Sequence, residues 1–490
     1  SVDGAPAASL ADALAAATDG AVVDVCPTTH TGPFTATVPV HLVTSGASGQ
    51  TVLVGGGGRV LSVPGGSSIT GFTLRDGLVA GPGGALLLSS AGTLDIDGCE
   101  FVDNAADSGG AIAAPDGGIV TIAGSTIHDN VARLRGGGLY LVGGSVDLTT
   151  SSVTANEADS SGGGIHAEDS AVIGGEIADN ALTGFAFWSG STGSAYELPS
   201  LLGGGIGAIG EVSVTGAIVT GNAADFGAGI GVIDGVLTLT GVRIEANQTG
   251  PTGTAGGVMC WNSACTFDET TEVVGNQADT AGGVIVGFGT LTGGVIDANT
   301  ATLYGGGLVV EAGEAAEVEV TGNTGPNGGG VAVIYDAAVR SCAITGNTAD
   351  EGAGISQIFP SFELTLTVAD CEVSGNVAAG DGGGLLIYDG ARPIDVTLEG
   401  NTFADNAAAR GAGAFFGRVD ATVTGDAFVR NAAASEGGAV WLGAGGLALV
   451  GVDLGVGVDD NAPGDVFAGG VERVYDGVTD TTCDAGGCSP

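Results

Sequence analysis

Phe101-Val102-Asp103-Asn104, followed after a short polar gap by Ser108-Gly109-Gly110-Ala111-Ile112, is the phrase that decides the fold. An apolar residue, two variable positions and an asparagine lead to a glycine pair that opens a strand. The phrase returns with its asparagine at Asn104, Asn130, Asn156, Asn180, Asn222, Asn247, Asn276, Asn299, Asn323, Asn347, Asn376, Asn406, Asn431 and Asn461. The mean spacing is about 27 residues. The residue three before the asparagine is Phe, Ile or Val in all 14 cases, a register that glycine richness alone does not produce. A fixed period of this length marks a protein built of stacked repeats.

Composition supports one long solenoid. Apolar residues make up 44% of the 490, so there is enough to bury. Glycine occurs 96 times without a Gly-X-Y triplet, which excludes collagen. Short Val/Ile/Leu/Thr runs between glycines read as β-strands. A repeat of this length has no helical stretch for a βαβ unit. It fits a coil of three short strands and three turns, and the fold predicted is all-β, a right-handed parallel β-helix. The buried −3 residue fills the core, and the asparagines stack with their amides hydrogen-bonded up the ladder. The left-handed bend of the corner is assigned to the asparagine itself. About 17 coils at ~4.8 Å each predict a rod on the order of 80 Å long.

The ends differ from the middle. Residues 1–20 form an N-terminal capping helix, with Leu10 and Leu14 at helical spacing among alanines and Asp19-Gly20 as its stop. Residues 21–461 are the β-helix, with an aromatic-rich insertion at 181–202, and 462–490 form a C-terminal cap. Net charge is −44, from 55 acids against 11 arginines and no lysine. Such a surface repels nucleic acid and anionic lipid. No apolar run approaches the ~18 residues of a transmembrane segment. Of eight cysteines, Cys260/Cys265 and Cys483/Cys488 are local pairs. Cys342 and Cys371 each stand five residues before a repeat asparagine, at one place on neighbouring coils. Strands about 4.8 Å apart lie within the Cα separation of a disulfide. Three bridges, Cys260–Cys265, Cys342–Cys371 and Cys483–Cys488, are therefore expected, in an oxidising compartment. Cys26 and Cys99 have no such argument.

Phe101-x-x-Asn104 with Gly109-Gly110-Ala111-Ile112 resembles the FxxN and GGAI repeats of chlamydial-type polymorphic outer-membrane proteins. Phe403-x-x-Asn406, and Phe428-x-x-Asn431 with Gly437-Gly438-Ala439-Val440, repeat the likeness. The opening, Leu10 to Pro27, is similar to the first coil of bacterial secreted right-handed β-helix proteins. The resemblance implies secretion or cell-surface display, and adhesion, here without the family's C-terminal autotransporter barrel.

β-Helix enzymes act mainly on polysaccharides, and a glycosidase needs carboxylates about 5–10 Å apart. Asp459-Asp460 merely precedes Asn461, as Asp103, Asp129, Asp179 and Asp405 precede theirs. The Gly-His-Gly and Arg-x-Lys signatures are absent. Five acids, Asp107, Asp159, Asp225, Asp279 and Asp350, stand three after the asparagine, and stacking aligns them on one edge as a candidate Ca²⁺ row. Phe415 and Trp441 hold equivalent outward positions after their glycine pairs, as Tyr140 and His166 do earlier. An exposed aromatic ladder stacks on sugar rings, and Phe185, Phe187, Trp188 and Tyr196 offer a second aromatic surface. The expected function is a non-catalytic extracellular structural or adhesive rod, or a subunit of a surface fibre. Its expected partners are its own copies end to end, a polysaccharide, or a host or neighbouring cell surface. The alternative is a polysaccharide-active lyase or glycoside hydrolase.

Overall fold

The structure is a computed structural model that describes residues 1–47, 49–184, 202–358, 364–389, 394–455, 460–468 and 472–476. The chain forms two compact units, Ser1–Gly250 and Pro251–Pro490. Each is a parallel β-helix, and the chain carries one short N-terminal helix.

One coil of the first unit shows the plan. Ile112–Ala114 and Ile119–Ala123 lie on one face, Thr126–His128 on a second and Val131–Arg135 on a third. Each strand pairs in parallel with its counterpart one coil on: Ile112 with Leu139, Ile127 with Val153, Ala132 with Ala158. The second face stacks nine strands in the first unit, from Thr29–Thr31 to Arg243–Glu245. It stacks seven in the second, from Glu272–Val274 to Ala427–Val429. In some coils the two strands of the first face fuse, as in Ala414–Thr424.

The −3 residues build the core. Phe101, Ile127, Val153, Ile177, Val219 and Ile244 succeed one another up the first unit, all with no exposed surface. In the second unit Phe403 and Phe428 stack with ring centroids 4.8 Å apart. Full burial of such a side chain stabilises by about 1.5–3 kcal/mol.

The glycine pair after Val131–Arg135 serves two needs. Gly136, at φ 63°, turns the chain. Gly137 has no room for a Cβ, which would lie 2.2 Å from the carbonyl oxygen of Gly163 on the next coil.

The helix forms as expected, over Leu10–Ala16. Ser9 caps it by accepting the Asp12 N–H, and it buries Leu10, Ala13 and Leu14 against the first coil. Residues 1–5 run beside the first strand, with Val2 bridging Val23 in antiparallel sense. The N-terminal edge of the stack is therefore covered, as an open edge needs to be.

Candidate functional site

The asparagine corners are interior. Asn130 exposes nothing, and its Nδ2 donates to Asn156 Oδ1 at 2.9 Å, as does its backbone N–H at 3.1 Å. Its second Nδ2 hydrogen goes back to the Phe101 carbonyl at 3.0 Å. The same pattern links Asn104 through Asn247 in the first unit and Asn276 through Asn461 in the second, with amide–amide distances of 2.9–3.1 Å. The left-handed bend falls one residue earlier than expected. Asp103, Asp129, Asp179 and Asp405 sit at φ near 55°. The asparagine must hold its N–H and side chain toward the next coil together, so its predecessor turns the corner. That explains the recurrent Asp before Asn without catalysis, since Asp tolerates this region.

The acids three past the asparagine do not form a calcium row. Between Asp107 and Asp159 comes Arg133, whose Nε donates to Asp107 Oδ1 at 2.9 Å. Between Asp159 and Asp225 comes Thr183, which donates to Asp159 Oδ1 at 3.2 Å. In the second unit Thr302 donates to Asp279, and Asp350 lies further coils along. Acids two coils apart stand roughly 10 Å from each other, whereas Ca²⁺ holds each ligand at about 2.3–2.6 Å. Among the described residues no group of three or more His, Cys, Asp or Glu is placed to hold a metal ion.

The cysteines divide. Cys260–Cys265 is a disulfide closing the turn between Val258–Trp261 and Ala264–Phe267. Cys483 and Cys488 lie outside the described residues. Cys342 and Cys371 are thiols, contrary to expectation. Each sulfur is a hydrogen-bonding group at a corner: Cys371 Sγ accepts the Cys342 N–H at 3.4 Å, and Cys342 Sγ donates to the Arg340 carbonyl at 3.2 Å. They belong to a second buried ladder, five before the asparagines, that sequence reading did not find. From Cys371 it continues by backbone N–H to Asn401 Oδ1 and from Asn401 to Asp426 Oδ1, both at 2.9 Å. In the first unit Cys99 donates its N–H to Ser125 Oγ at 3.0 Å, and Ser125 donates to Ser151 Oγ at 3.1 Å. Cys99 thus has a corner role, and burial pushes its thiol up to about 11. The signal was a small polar residue at that position, hidden because its identity varies. Asp426 Oδ2 is buried without a hydrogen-bond partner among the described residues, and burial pushes this carboxyl up to about 6.

The aromatic positions are as aligned as expected but less exposed. Phe185, Phe187, Trp188 and Tyr196 lie outside the described residues. Tyr140 pairs with His166, rings stacked at 5.6 Å and 14°. His166 is wholly buried with Nδ1 2.8 Å from Ser161 Oγ, and burial, then Arg135, lowers it to about 3, a neutral imidazole.

In the second unit Phe415, Trp441 and Phe467 succeed one another, centroids 4.2 Å and then 5.9 Å apart and tilted by 3° and 11°. Phe415 is 6% exposed. In-register parallel strands bring the rings within stacking distance, so the rings occupy each other's faces and leave edges outward. The faces between Phe415 and Trp441 and between Trp441 and Phe467 are thus taken by neighbouring rings.

What surrounds this stack is polar. Gly411, at φ 57°, turns the chain between Ala407–Arg410 and Ala414–Thr424, and Arg410 comes to lie next to Phe415. The guanidinium carbon lies 5.1 Å from the Phe415 centroid and 4.8 Å from that of Trp441. Nearly equal distances to two stacked rings place it alongside the pair. Arg410 holds Asp381 at two points, Nε to Oδ1 at 2.9 Å and Nη2 to Oδ2 at 2.5 Å. That bond raises the arginine further. Trp441 Nε1 donates to Glu436 Oε2 at 3.2 Å. Burial, Asp381 and Asp350 raise the Glu351 carboxyl. A depression of about 340 Å³ opens between Arg410, Tyr388 and Trp441.

No family model matches the chain, and no curated protein matches it. Among the described residues no helix is long and apolar enough to cross a membrane.

Proposed function

We propose that this protein is a non-catalytic structural or adhesive scaffold, secreted or held at a cell surface. The observation that carries this reading is the buried asparagine ladder within each unit. Side chains that an enzyme would aim at a substrate are here spent holding coil on coil. Neighbour-only contacts of this kind give a stiff support whose outer faces are free to vary. The disulfide Cys260–Cys265 agrees with an oxidising compartment. The likeness of the Phe101-x-x-Asn104 and Gly109-Gly110-Ala111-Ile112 phrases to surface-adhesin repeats points the same way. End-to-end growth would have to displace Leu10–Ala16 and residues 1–5 from the first coil, so adhesion stands ahead of fibre formation.

Electron microscopy of material on cells or shed from them tests the reading. Discrete particles at the cell surface, with no release of reducing ends from a polysaccharide panel, are expected. Release of reducing ends or of unsaturated uronates would make the protein an enzyme and end this proposal.

A further inference from the structure

Beside the aromatic stack runs a second outward column. Ile387 aligns with Phe416 and Asp389 with Arg418, so Tyr388 aligns with Gly417. One coil on, Phe416 aligns with Leu442 and Arg418 with Ala444, so Gly417 aligns with Gly443. The column therefore reads Tyr388, Gly417, Gly443: one aromatic rung followed by two rungs without side chains. The first unit fills the equivalent column, where Val142, Glu168 and Ile209 succeed one another. Gly417 and Gly443 line the depression together with Tyr388, Arg410 and Trp441. The Trp441 ring leans over Gly443, where an added Cβ would lie 3.0 Å from it, so the open rung is the one at Gly417.

We propose that this slot binds one ring of a neutral saccharide, seated over Gly417 in the place of its missing side chain, between Tyr388 and the edge of the Trp441 ring. Each rung is about 4.8 Å, close to the thickness of a sugar ring. Tyr388 stands at the head of the column, offering an aromatic body and a hydroxyl. Arg410 and Asp381 are planar, polar and locked together, a pair suited to adjacent sugar hydroxyls. Their side chains remain 39% and 16% exposed, so both are reachable. Charge selects the class. Asp381, Glu351 and Glu436 influence Arg410, three carboxylates against one guanidinium. A uronate, sulfated sugar or nucleotide is repelled by that balance, and a neutral ring is not. The assignment deepens the adhesive reading, on which it rests, by naming the ligand class.

The test is calorimetric titration of the full chain with defined neutral hexasaccharides (glucans, mannans, galactans and xylans of known linkage) and with a hexauronate. The expected result is binding of at least one neutral oligosaccharide and none of the hexauronate. Tyr388→Ala and Arg410→Gln should each weaken binding by about tenfold or more, with unchanged melting temperatures. Tyr388→Phe keeps the ring and should retain most affinity, which guards against a folding artefact. Equal affinity in wild type and both slot variants would overturn the slot while leaving the adhesive reading standing. Binding of the hexauronate alone, or of no oligosaccharide by folded wild type, would also overturn it. The adhesive reading would then stand or fall on the micrographs.

Discussion

The corner at Arg135 in the first unit and the corner at Arg410 in the second are built alike and end differently. In each, a residue just before the glycine turn meets the aromatic five residues later. Arg135 reaches the Tyr140 hydroxyl and Ser161 bonds His166; Arg410 flanks Phe415 and Glu436 bonds Trp441. In the first unit the result is closed, with His166 wholly buried and neutral. In the second a depression opens beside it at Gly417, and Arg410, Asp381 and Glu436 stand around it. The backbone corner sets where the pair sits. Each pair has one buried and one half-buried ring, and what differs is the depression beside the second pair.

The largest expected effect asks whether the two scaffolds beneath these corners are equivalent. Asn156→Ala and Asn376→Ala each strip two donors on the preceding coil, the N–H and Nδ2 of Asn130 and of Asn347, of their acceptor. Each should cost about 3 kcal/mol, read from urea denaturation. A large loss in one and a small loss in the other would break the comparison at its base.

Acidification should separate the units. A base with a depressed folded pKa costs stability as pH falls below its unfolded value. His166, at about 3 against 6.5 unfolded, should therefore cost the first unit about 2 kcal/mol at pH 5 relative to pH 7. His128 works the other way. Burial opposes its protonation, but hydrogen bonds to Asp129 and Glu100 raise it, and being partly exposed it offsets little.

A raised acid has the opposite consequence. Its stability is full below the unfolded pKa and is lost as pH rises through the folded value. Asp426, at about 6, should return about 1 kcal/mol to the second unit between pH 7 and pH 5. Glu311, half-buried and raised by burial to about 7, adds in the same direction. Hydrogen exchange corrected for intrinsic rates should show the first unit loosening and the second tightening. Identical responses would refute the charge states assigned here.

A comparable change is confined to the second unit. Replacing both Cys260 and Cys265 by Ser removes a short loop closure, which should destabilise by about 2 kcal/mol. Exchange in the first unit should not change.

The smallest effect is on labelling. In native protein Cys26, which is exposed, should take maleimide quickly, while Cys99, Cys342 and Cys371 should wait for unfolding. Mass spectrometry that found Cys342 and Cys371 joined would restore the bridge their spacing first implied.

The fold was legible because its signal is periodic. Fourteen asparagines with an apolar partner at −3 mark the register, the core and the ladder before any coordinates. The helix was legible through Leu10 and Leu14. The second ladder was not, since Cys, Ser, Asn and Asp fill one position through different atoms and share no letter. The aromatic ladder was half legible. Equivalent positions can be counted along the chain, but counting says nothing of whether a ring face meets water or another ring. The slot was least legible of all, because Gly417 contributes only what it lacks. Among 96 glycines, one that merely makes room carries no distinguishing mark.

The ladders also have a grammar. Each ladder amide passes its backbone N–H and one side-chain hydrogen to the next coil and turns the other back to a carbonyl of the preceding one, so an asparagine both receives and hands on. An ionised aspartate only receives. Asn401 hands on to Asp426, and Asn461 hands on to Asp465 at 3.2 Å. At Asp426 and Asp465 the accepting side chain has no amide hydrogen to pass on. The span from Asn180 to Asn222 is 42 residues, yet it closes with the same 2.9 and 3.0 Å bonds as its shorter neighbours. The connection is blind to what lies between its endpoints. Whole coils are thus interchangeable currency for gene duplication and deletion, and within a unit the number of turns is free to drift.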